Sequence, residues 1–401
     1  MRSGGERLAP RPPRMPSRRY WNLREGKATE MNAVAIIKSD GAYAAILPRL
    51  MGLAEAEDVV RPGDSVLIKP NLHAAQHWTT AGTTNPALVA ALIEWARAKG
   101  AGRIVVADGS YYGTPRPEEV FVETGMAEAV EKAGAEWAAM PRHGYRIFPK
   151  ASPHLPPEVG ISQFLFACDR LLNVAVMKTH IDCLVTLGMK NLKGCIRPED
   201  KRAFHNDVEI NRAIVALNRL ITPDLTIVDG TLGMEGIGPH AGRPANFGHI
   251  FASRHTPSVD AVAASAMGVG VREARMLQYA AEERMLDSDA IRVVGEDVAR
   301  IRRRFERPYE VMMRELPGLR LQADGACSAC KLNVIRALRE NRQAGVPLPD
   351  RLVVIGNQPP AEPDALLIGR CPGEHAAGHR HLPGCPPSVA RIKEFLIAPG
   401  S

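Results

Sequence analysis

The chain has 401 residues, of which 45 % are hydrophobic and 24 % charged, a composition typical of a globular protein with more than one domain. Aromatic residues make up only 5 %, and most of the net charge of +7 lies in residues 1–30, with seven arginines and one lysine against three glutamates. The rest of the chain is nearly neutral, so we expect a disordered basic tail over 1–30 and no nucleic-acid partner. No apolar run approaches the ~20 residues that span a bilayer, and no apolar signal segment follows Arg18 and Arg19. We therefore expect a cytoplasmic protein without membrane contact, in which Met31 is an alternative start.

Strand and helix patterns alternate from residue 31 onward. In the first block, 31–163, the sequence predicts strands at 34–37, 65–69 and 104–107 and helices at 86–99 and 118–133. In the second block, 164–300, it predicts strands at 171–177, 225–228 and 291–295 and helices at 210–220 and 259–267. Such alternation predicts an α/β fold of two Rossmann-like three-layer blocks with mainly parallel sheets.

Residues 301–401 form a separate small α/β module in this interpretation. An arginine-rich helical segment at 297–315 leads into it, followed by a helix at 331–343, strands at 351–355 and 365–369, and a final helix at 387–397. Four cysteines are placed around these elements, which makes the module a candidate metal-binding domain.

Those four cysteines are Cys327, Cys330, Cys371 and Cys385. Disulfides are disfavoured in a cytoplasmic protein, and a redox dithiol would use only the first pair, so four thiolates in turns predict a metal site. The sequence favours a [4Fe–4S] cluster because proline follows two of the cysteines and two lie at predicted helix N-termini, where free amides favour an anion. Zinc is the alternative. The remaining cysteines, at 168, 183 and 195, are expected to be buried and apolar.

Polar residues follow several predicted strands, where parallel sheets bind ligands. Lys69 and Asn71 follow the second strand. The segment richest in polar residues is 178–205, which contains Lys178, His180, Lys190, Asn191, Lys193 and His205. Three lysines within sixteen residues, interleaved with apolar residues, predict a partly buried pocket for a carboxylate or phosphate. A solvated loop is the alternative. No P-loop and no standard dinucleotide fingerprint is present in the sequence.

The ordered motifs VLIKPN, TTNPALV, VVADGS, MKTH, TLGMKNLKGC, IVDG, MEGIGPHAGRP and SVDAVAASAMG resemble the family catalogued as domain of unknown function 362 over roughly 34–300. Its members often carry an iron–sulfur module, which agrees with the cysteines. Carried over to this sequence, the motif positions are Lys69, Asn71, Lys178, His180, Lys190, Asn191, Lys193, His205, Asp229, Glu235 and Asp260.

Each carried-over position also has a chemical interpretation. The lysines are expected to bind an anion, and His180 and His205 are candidate acid–base groups. Asp229 and Glu235, with a histidine, are candidates for a divalent metal in the cleft, although Asp229 also fits a strand-end turn. Asp260 fits the N-cap of the helix that follows.

These features lead to three hypotheses about function. The first is an iron–sulfur oxidoreductase acting on a small anionic substrate in the Lys/His cleft, with a redox partner such as ferredoxin. The second is a non-redox lyase, isomerase or racemase with a structural or Lewis-acid cluster; the spacing of Lys190 and His205 is similar to that of the cofactor-holding lysine and metal-binding histidine of nickel-pincer lactate racemases. The third is an electron-transfer or binding protein without catalysis. Substrate and oligomeric state stay open.

Overall fold

The computed structural model describes residues 31–397 with the exception of 325 and 327. The expected tail over 1–30 lies outside the described residues. The strands are β1 (Asn32–Lys38), β2 (Ser65–Lys69), β3 (Arg103–Asp108), β4 (Glu136–Ala139), β5 (Tyr145–Pro149), β6 (Glu158–Ser162), β7 (Arg170–His180), β8 (Leu184–Thr186), β9 (Leu225–Ile237), β10 (Ala241–Ala245), β11 (His249–Ser253), β12 (Ile291–Gly295), β13 (Leu321–Gln322), β14 (Val353–Val354), β15 (Leu366–Ile368) and β16 (Arg380–Leu382).

The helices cover both faces of the large sheet and one flank of the small one. They are α1 (Tyr43–Leu53), α2 (Pro86–Ala98), α3 (Pro117–Glu123), α4 (Met126–Lys132), α5 (Phe164–Ala167), α6 (Gly188–Asn191), α7 (Pro198–Asn206), α8 (Ile210–Leu220), α9 (Thr256–Ala266), α10 (Arg275–Glu282), α11 (Val298–Ile301), α12 (Pro308–Met313), α13 (Ser328–Gln343) and α14 (Val389–Ile397).

One large sheet runs through residues 32–295 in the order β12-β1-β11-β9-β7-β2-β3-β4, with β8 paired to β7 and β10 paired to β9. The pairs β9-β7, β7-β2, β2-β3, β3-β4 and β1-β12 are parallel, whereas β11 is antiparallel to both neighbours. The predicted α/β class with a mainly parallel sheet is therefore confirmed. The two predicted blocks, however, share this sheet, because β2 of the first pairs with β7 of the second.

Local signals explain where several elements begin and end. Helix α2 begins at Pro86, and the side chain of Asn85 accepts a hydrogen bond from the Ala87 backbone N–H. The single helix predicted over 118–133 is two helices, because Gly125 adopts a left-handed backbone with φ of +75° between α3 and α4.

Tertiary pairing extends two strands beyond their predicted ends. Strand β7 continues to His180 because Lys178, Thr179 and His180 pair with the antiparallel β8. Strand β9, predicted only over 225–228, continues to Ile237 because its last five residues form a β-hairpin with β10. Polar residues predicted in loops are therefore held by strand backbone.

The C-terminal module has its own parallel sheet, ordered β13-β14-β15-β16, with α13 and α14 packed against it. Its core includes Val334, Leu338, Val353, Ile368 and Ile392. The apolar side chains of residues 181 and 237, at the ends of β7 and β9, pack against this core and join the module to the large sheet. The module thus covers the carboxyl ends of the central strands, where the candidate site lies.

Candidate functional site

A cavity of about 810 Å³ lies between the carboxyl ends of β2, β3 and β7 and the C-terminal module. The predicted residues that line it are Lys69, Asn71, Lys178, His180, Lys190, Asn191, Lys193 and His205. This arrangement follows from the parallel pairing, because β2, β3 and β7 all end at the same edge of the sheet. The structure therefore brings together eight of the eleven motif positions, and the other three, Asp229, Glu235 and Asp260, lie elsewhere.

The floor of the cavity is a buried polar network around Lys69. Its Nζ lies 2.7 Å from Asp108 Oδ1 and 3.3 Å from Asn191 Oδ1. The carboxylate of Asp108 also accepts the backbone N–H groups of Leu72 and Gly109 at 2.7 and 2.8 Å. Because every charge here has a partner, Lys69 and Asp108 hold the cavity floor rather than offering a free charge to a ligand.

The side chain of Lys178 also lines the cavity and has no exposed surface. Its Nζ donates to Asn71 Oδ1 at 2.5 Å and to the Gly82 carbonyl at 3.0 Å, and its partners among the described residues include no carboxylate. Burial, reinforced by the positive charge of Lys190, lowers the pKa of Lys178 to about 7. An anion entering the cavity would supply the missing counter-charge.

His180 and His205 are neutral bases in this environment. The Nδ1 atom of His180 accepts the backbone N–H groups of Asp182 and Cys183 at 2.9 and 3.2 Å, which leaves its proton on Nε2. Burial, together with the positive charge of Lys190, holds the pKa of His180 well below its usual value. Burial and the contact of its Nε2 with the Lys193 ammonium likewise lower the pKa of His205.

Burial also lowers the pKa values of Lys190 and Lys193. The ammonium group of Lys190 makes no hydrogen bond within the part of the chain that the structure describes, whereas that of Lys193 contacts His205. The Nδ1 atom of His205 lies 3.5 Å from Asp182 Oδ2, and Arg336 of α13 approaches the other carboxylate oxygen at 3.4 Å. The C-terminal module thereby contributes a charged side chain to the cavity.

Several lining residues were not predicted from the sequence. They are His73, Tyr111, Tyr112, Lys201, His240 and Arg336. The first three directly follow β2 or β3, so the same strand-end rule could have found them. Lys201 donates to the carbonyls of Gly109 and Ser110, and burial lowers its pKa to about 8.

Asp229 and Glu235 do not line the cavity. Asp229 lies inside β9 instead of at a strand end, where it accepts the Tyr43 hydroxyl at 2.8 Å and the Thr231 backbone N–H at 2.9 Å. Glu235 forms ion pairs with Arg243 and Arg303 at 3.1 and 3.3 Å. The prediction that these carboxylates hold a divalent metal in the cleft together with a histidine is therefore corrected. Both lie in the extended strand β9, where they contact structural partners instead.

Asp260 is not an N-cap either, since it lies within α9. Its two carboxylate oxygens accept the backbone N–H groups of Gly188 and Met189 at 2.7 and 2.8 Å. Burial raises its pKa to about 7. Asp260 therefore fixes the start of the segment that carries Lys190 and Lys193.

Three of the four predicted metal ligands, Cys330, Cys371 and Cys385, line a second cavity of about 370 Å³. The fourth, Cys327, lies outside the described residues. Cys330 is in the first turn of α13, as predicted, whereas Cys385 precedes α14 by four residues. Within the described ranges, no three His, Cys, Asp or Glu side chains are grouped closely enough to hold one metal ion.

The remaining cysteines, Cys168, Cys183 and Cys195, are buried among apolar side chains, as predicted. Burial raises the pKa of each thiol to about 12, which makes all three poor nucleophiles and poor metal ligands.

The two cavities share one lining residue of functional interest. Cys385 borders both the lysine-lined cavity and the cysteine-lined cavity. The guanidinium group of Arg275 approaches its Sγ at 4.0 Å. A group held by the cysteines would therefore lie beside a ligand held by the lysines.

The described helices include none that is both long enough and apolar enough to cross a bilayer. Taken together, these features define a mixed α/β protein with a lysine-lined cavity at the carboxyl edge of its main sheet. Residues 66–265 match the model of the family described as domain of unknown function (DUF362).

A curated relative is the thylakoid-associated protein sll1697 of Synechocystis sp., which is 29 % identical over 208 residues. The match covers 51 % of this chain and 63 % of the relative, so the chain spans less than two thirds of that protein. Solved structures with partial likeness are the lactate racemase apoprotein of Thermoanaerobacterium thermosaccharolyticum and a protein of Thermotoga maritima. The first is 14 % identical with a TM-score of 0.36, covering 57 % of this chain and 55 % of that one. The second is 13 % identical with a TM-score of 0.31, covering 65 % and 62 %.

Proposed function

We propose that the protein is an iron–sulfur oxidoreductase that acts on a small carboxylate or phosphate in the lysine-lined cavity. The observation that carries this proposal is the position of Cys385, which borders both cavities. Electron exchange between a cluster and a substrate requires such proximity, and a purely structural metal site would not.

The anion site rests on Lys178, Lys190 and Lys193. The side chain of Lys178 is buried and those of Lys190 and Lys193 are half-buried, and none of the three amines has a carboxylate within hydrogen-bond distance among the described residues. A bound carboxylate or phosphate would relieve the cost of holding these positive charges together in a medium of low dielectric constant. Substrate binding and lysine protonation are therefore coupled.

Proton transfer is assigned to His205 as the acceptor and to His180 as a donor through its Nε2–H group. Both imidazoles are neutral at physiological pH because burial and the neighbouring lysines lower their pKa values. The neutral imidazole of His205 accepts a proton from a substrate C–H or O–H group, and Asp182, 3.5 Å from His205, stabilises the imidazolium that forms.

The chemistry of the cysteine-lined cavity fits an anionic cluster. Thiolates are the preferred ligands of iron–sulfur clusters, and the cavity wall also carries Arg272, Arg275, Lys331 and Arg370. These cations outnumber the single acidic lining residue, Glu273, and offset the negative charge of thiolates. A cluster bound here supplies one-electron exchange. Zinc is the alternative metal for thiolate ligands and would leave the protein without redox chemistry.

The exposed arginines at the mouth of this cavity, Arg272 and Arg370, favour an acidic electron-transfer partner such as a ferredoxin. The association rate with such a partner should then fall steeply as the salt concentration rises.

The test is anaerobic purification with iron, sulfide and zinc quantified per chain. We expect iron and sulfide in the unmodified protein, their loss in Cys371→Ser, and their retention in the control Cys168→Ser. A reducible paramagnetic signal should accompany the iron. Full iron retention in Cys371→Ser would exclude the proposed ligand set, and zinc without iron would exclude the redox function.

A second candidate is a non-redox enzyme of the lyase, isomerase or racemase type. The neutral histidines of the cavity favour it, because proton transfer alone needs no electron carrier. A cluster that resists reduction at accessible potentials, in a protein whose lysines still bind anions, would favour this candidate over the first.

A further inference from the structure

We infer that the substrate carries a planar aromatic ring in addition to its anionic group. The inference rests on the proposed anion site and names the class of molecule that the site accepts. It comes from a wall of aromatic rings on the same cavity, formed by His73, Tyr111, Tyr112 and His240 and called the ring wall below.

The rings of the ring wall are in mutual contact but are not part of a hydrophobic core. The ring centroids of Tyr111 and Tyr112 lie 4.3 Å apart, and those of His73 and Tyr111 lie 5.6 Å apart. His240 completes the group, with its centroid 4.1 Å from that of His73. Tyr111 nevertheless remains 38 % exposed. Large rings usually bury their surface, so rings grouped on a cavity wall indicate a surface that a ligand covers.

The ring wall adjoins the lysines. The ring centroid of Tyr112 lies 6.1 Å from that of His205, whose Nε2 contacts the Lys193 ammonium. At the other end, His73 and His240 line the same cavity as Lys178 and Lys190. One molecule with a ring and a neighbouring anionic group can therefore contact both surfaces.

The size of the cavity also favours a ring-bearing ligand. Pockets of about 300–1,000 Å³ hold drug-sized molecules, and this one has about 810 Å³. An anion of only a few atoms would reach the lysines but leave the ring wall in water. An aromatic carboxylate or an aryl phosphate fills both regions.

Tyr112 provides the most specific probe of this inference. The Arg202 guanidinium lies 5.6 Å from its ring centroid, which helps to fix the ring in place. Tyr112→Phe keeps the ring and removes only the hydroxyl, so it is the matched control for Tyr112→Ala. Because truncation at Tyr112 also removes packing from His205, Tyr111→Ala serves as a second variant with less effect on the lysine side.

The experiment is titration calorimetry on the full chain, purified anaerobically, with three ligands of similar charge: inorganic phosphate, phenyl phosphate and cyclohexyl phosphate. We expect phenyl phosphate to bind roughly tenfold more tightly than phosphate, with cyclohexyl phosphate between them. Tyr112→Ala and Tyr111→Ala should remove the advantage of phenyl phosphate over phosphate, and Tyr112→Phe should keep it. Lys193→Met should lower the binding affinity for all three ligands.

The outcomes separate this inference from the proposed function. Equal affinity for phosphate and phenyl phosphate, or for phenyl and cyclohexyl phosphate, would refute the inference that the substrate carries an aromatic ring. The proposed anion site would be unaffected by that result. Phenyl phosphate binding that survives both alanine variants would refute the inference in the same way. Absence of binding by all three ligands would overturn the anion site itself, and the inference with it.

Discussion

Removing the Lys69 ammonium tests whether the cavity floor is held by a compensated buried ion pair. The side chain of Lys69 is fully buried and that of Asp108 is 4 % exposed, with 2.7 Å between Nζ and Oδ1. Lys69→Met keeps the length and apolar stem of the side chain but leaves Asp108 as a buried carboxylate without a counter-charge. Its two backbone N–H partners remain.

The expected loss is about 3–5 kcal/mol of unfolding free energy, because breaking a buried pair leaves one charge uncompensated. The matched control is Lys132→Met, which removes the ion pair of Lys132 with Glu128 at 2.5 Å on the surface of α4. Those side chains are 75 % and 69 % exposed, so the control should lose only about 0.3–0.5 kcal/mol. Both pairs have similar geometry, so burial alone separates the two predictions.

The assay is urea unfolding followed by tryptophan fluorescence at neutral pH. The double variant Lys69→Met with Asp108→Asn should recover part of the loss, because the uncompensated charge is then removed. The reasoning is refuted if Lys69→Met costs no more than Lys132→Met, or if the double variant is no more stable than Lys69→Met.

Two further predictions concern the same cavity. Burial lowers the pKa of Lys178 from 10.5 to about 7. Between pH 7 and pH 10.5 the lysine is therefore protonated in the unfolded chain but largely neutral in the native protein, so the free energy of unfolding should rise with pH across that window. Lys178→Met should therefore be more stable than the unmodified protein at about pH 6 and should lose that advantage at about pH 10. Urea unfolding midpoints at the two pH values measure this difference, and a difference that does not change with pH would contradict the assigned pKa. At Gly194 an added Cβ would lie 2.6 Å from Lys69 Nζ and against the carboxylate of Asp108, so Gly194→Ala should cost about 1–3 kcal/mol and weaken phosphate binding. Gly270→Ala, where a Cβ meets nothing within 4 Å, should leave both quantities unchanged.

Helix α13 contributes to both cavities. Helix α13 begins beside Cys330 and carries Arg336 to the carboxylate of Asp182.

The sequence by itself determined the class of fold and most of the chemistry of the site. Apolar runs of strand length alternated with helical patterns, and these local signals located β2, β3, α2 and α8 closely. The lysines and histidines of 178–205 stood out because charged residues were interleaved with apolar ones, a pattern that favours partial burial over a solvated loop. The cysteines were evident from residue type and spacing.

Only the tertiary structure decided which of these residues share a cavity. Strands β8 and β10, which pair with β7 and β9, lie close to them in the chain, but their hydrogen bonds form only when the hairpins fold back. The resulting extension of β9 includes Asp229 and Glu235, which therefore contact structural partners instead of lining the cavity. Strand order across the large sheet is likewise set by contacts between residues far apart in the chain, which single-sequence periodicity does not contain. The same non-local packing placed His240 beside His73 and Cys385 between the two cavities. Residue types therefore specified the available chemistry, and long-range pairing specified where it is assembled.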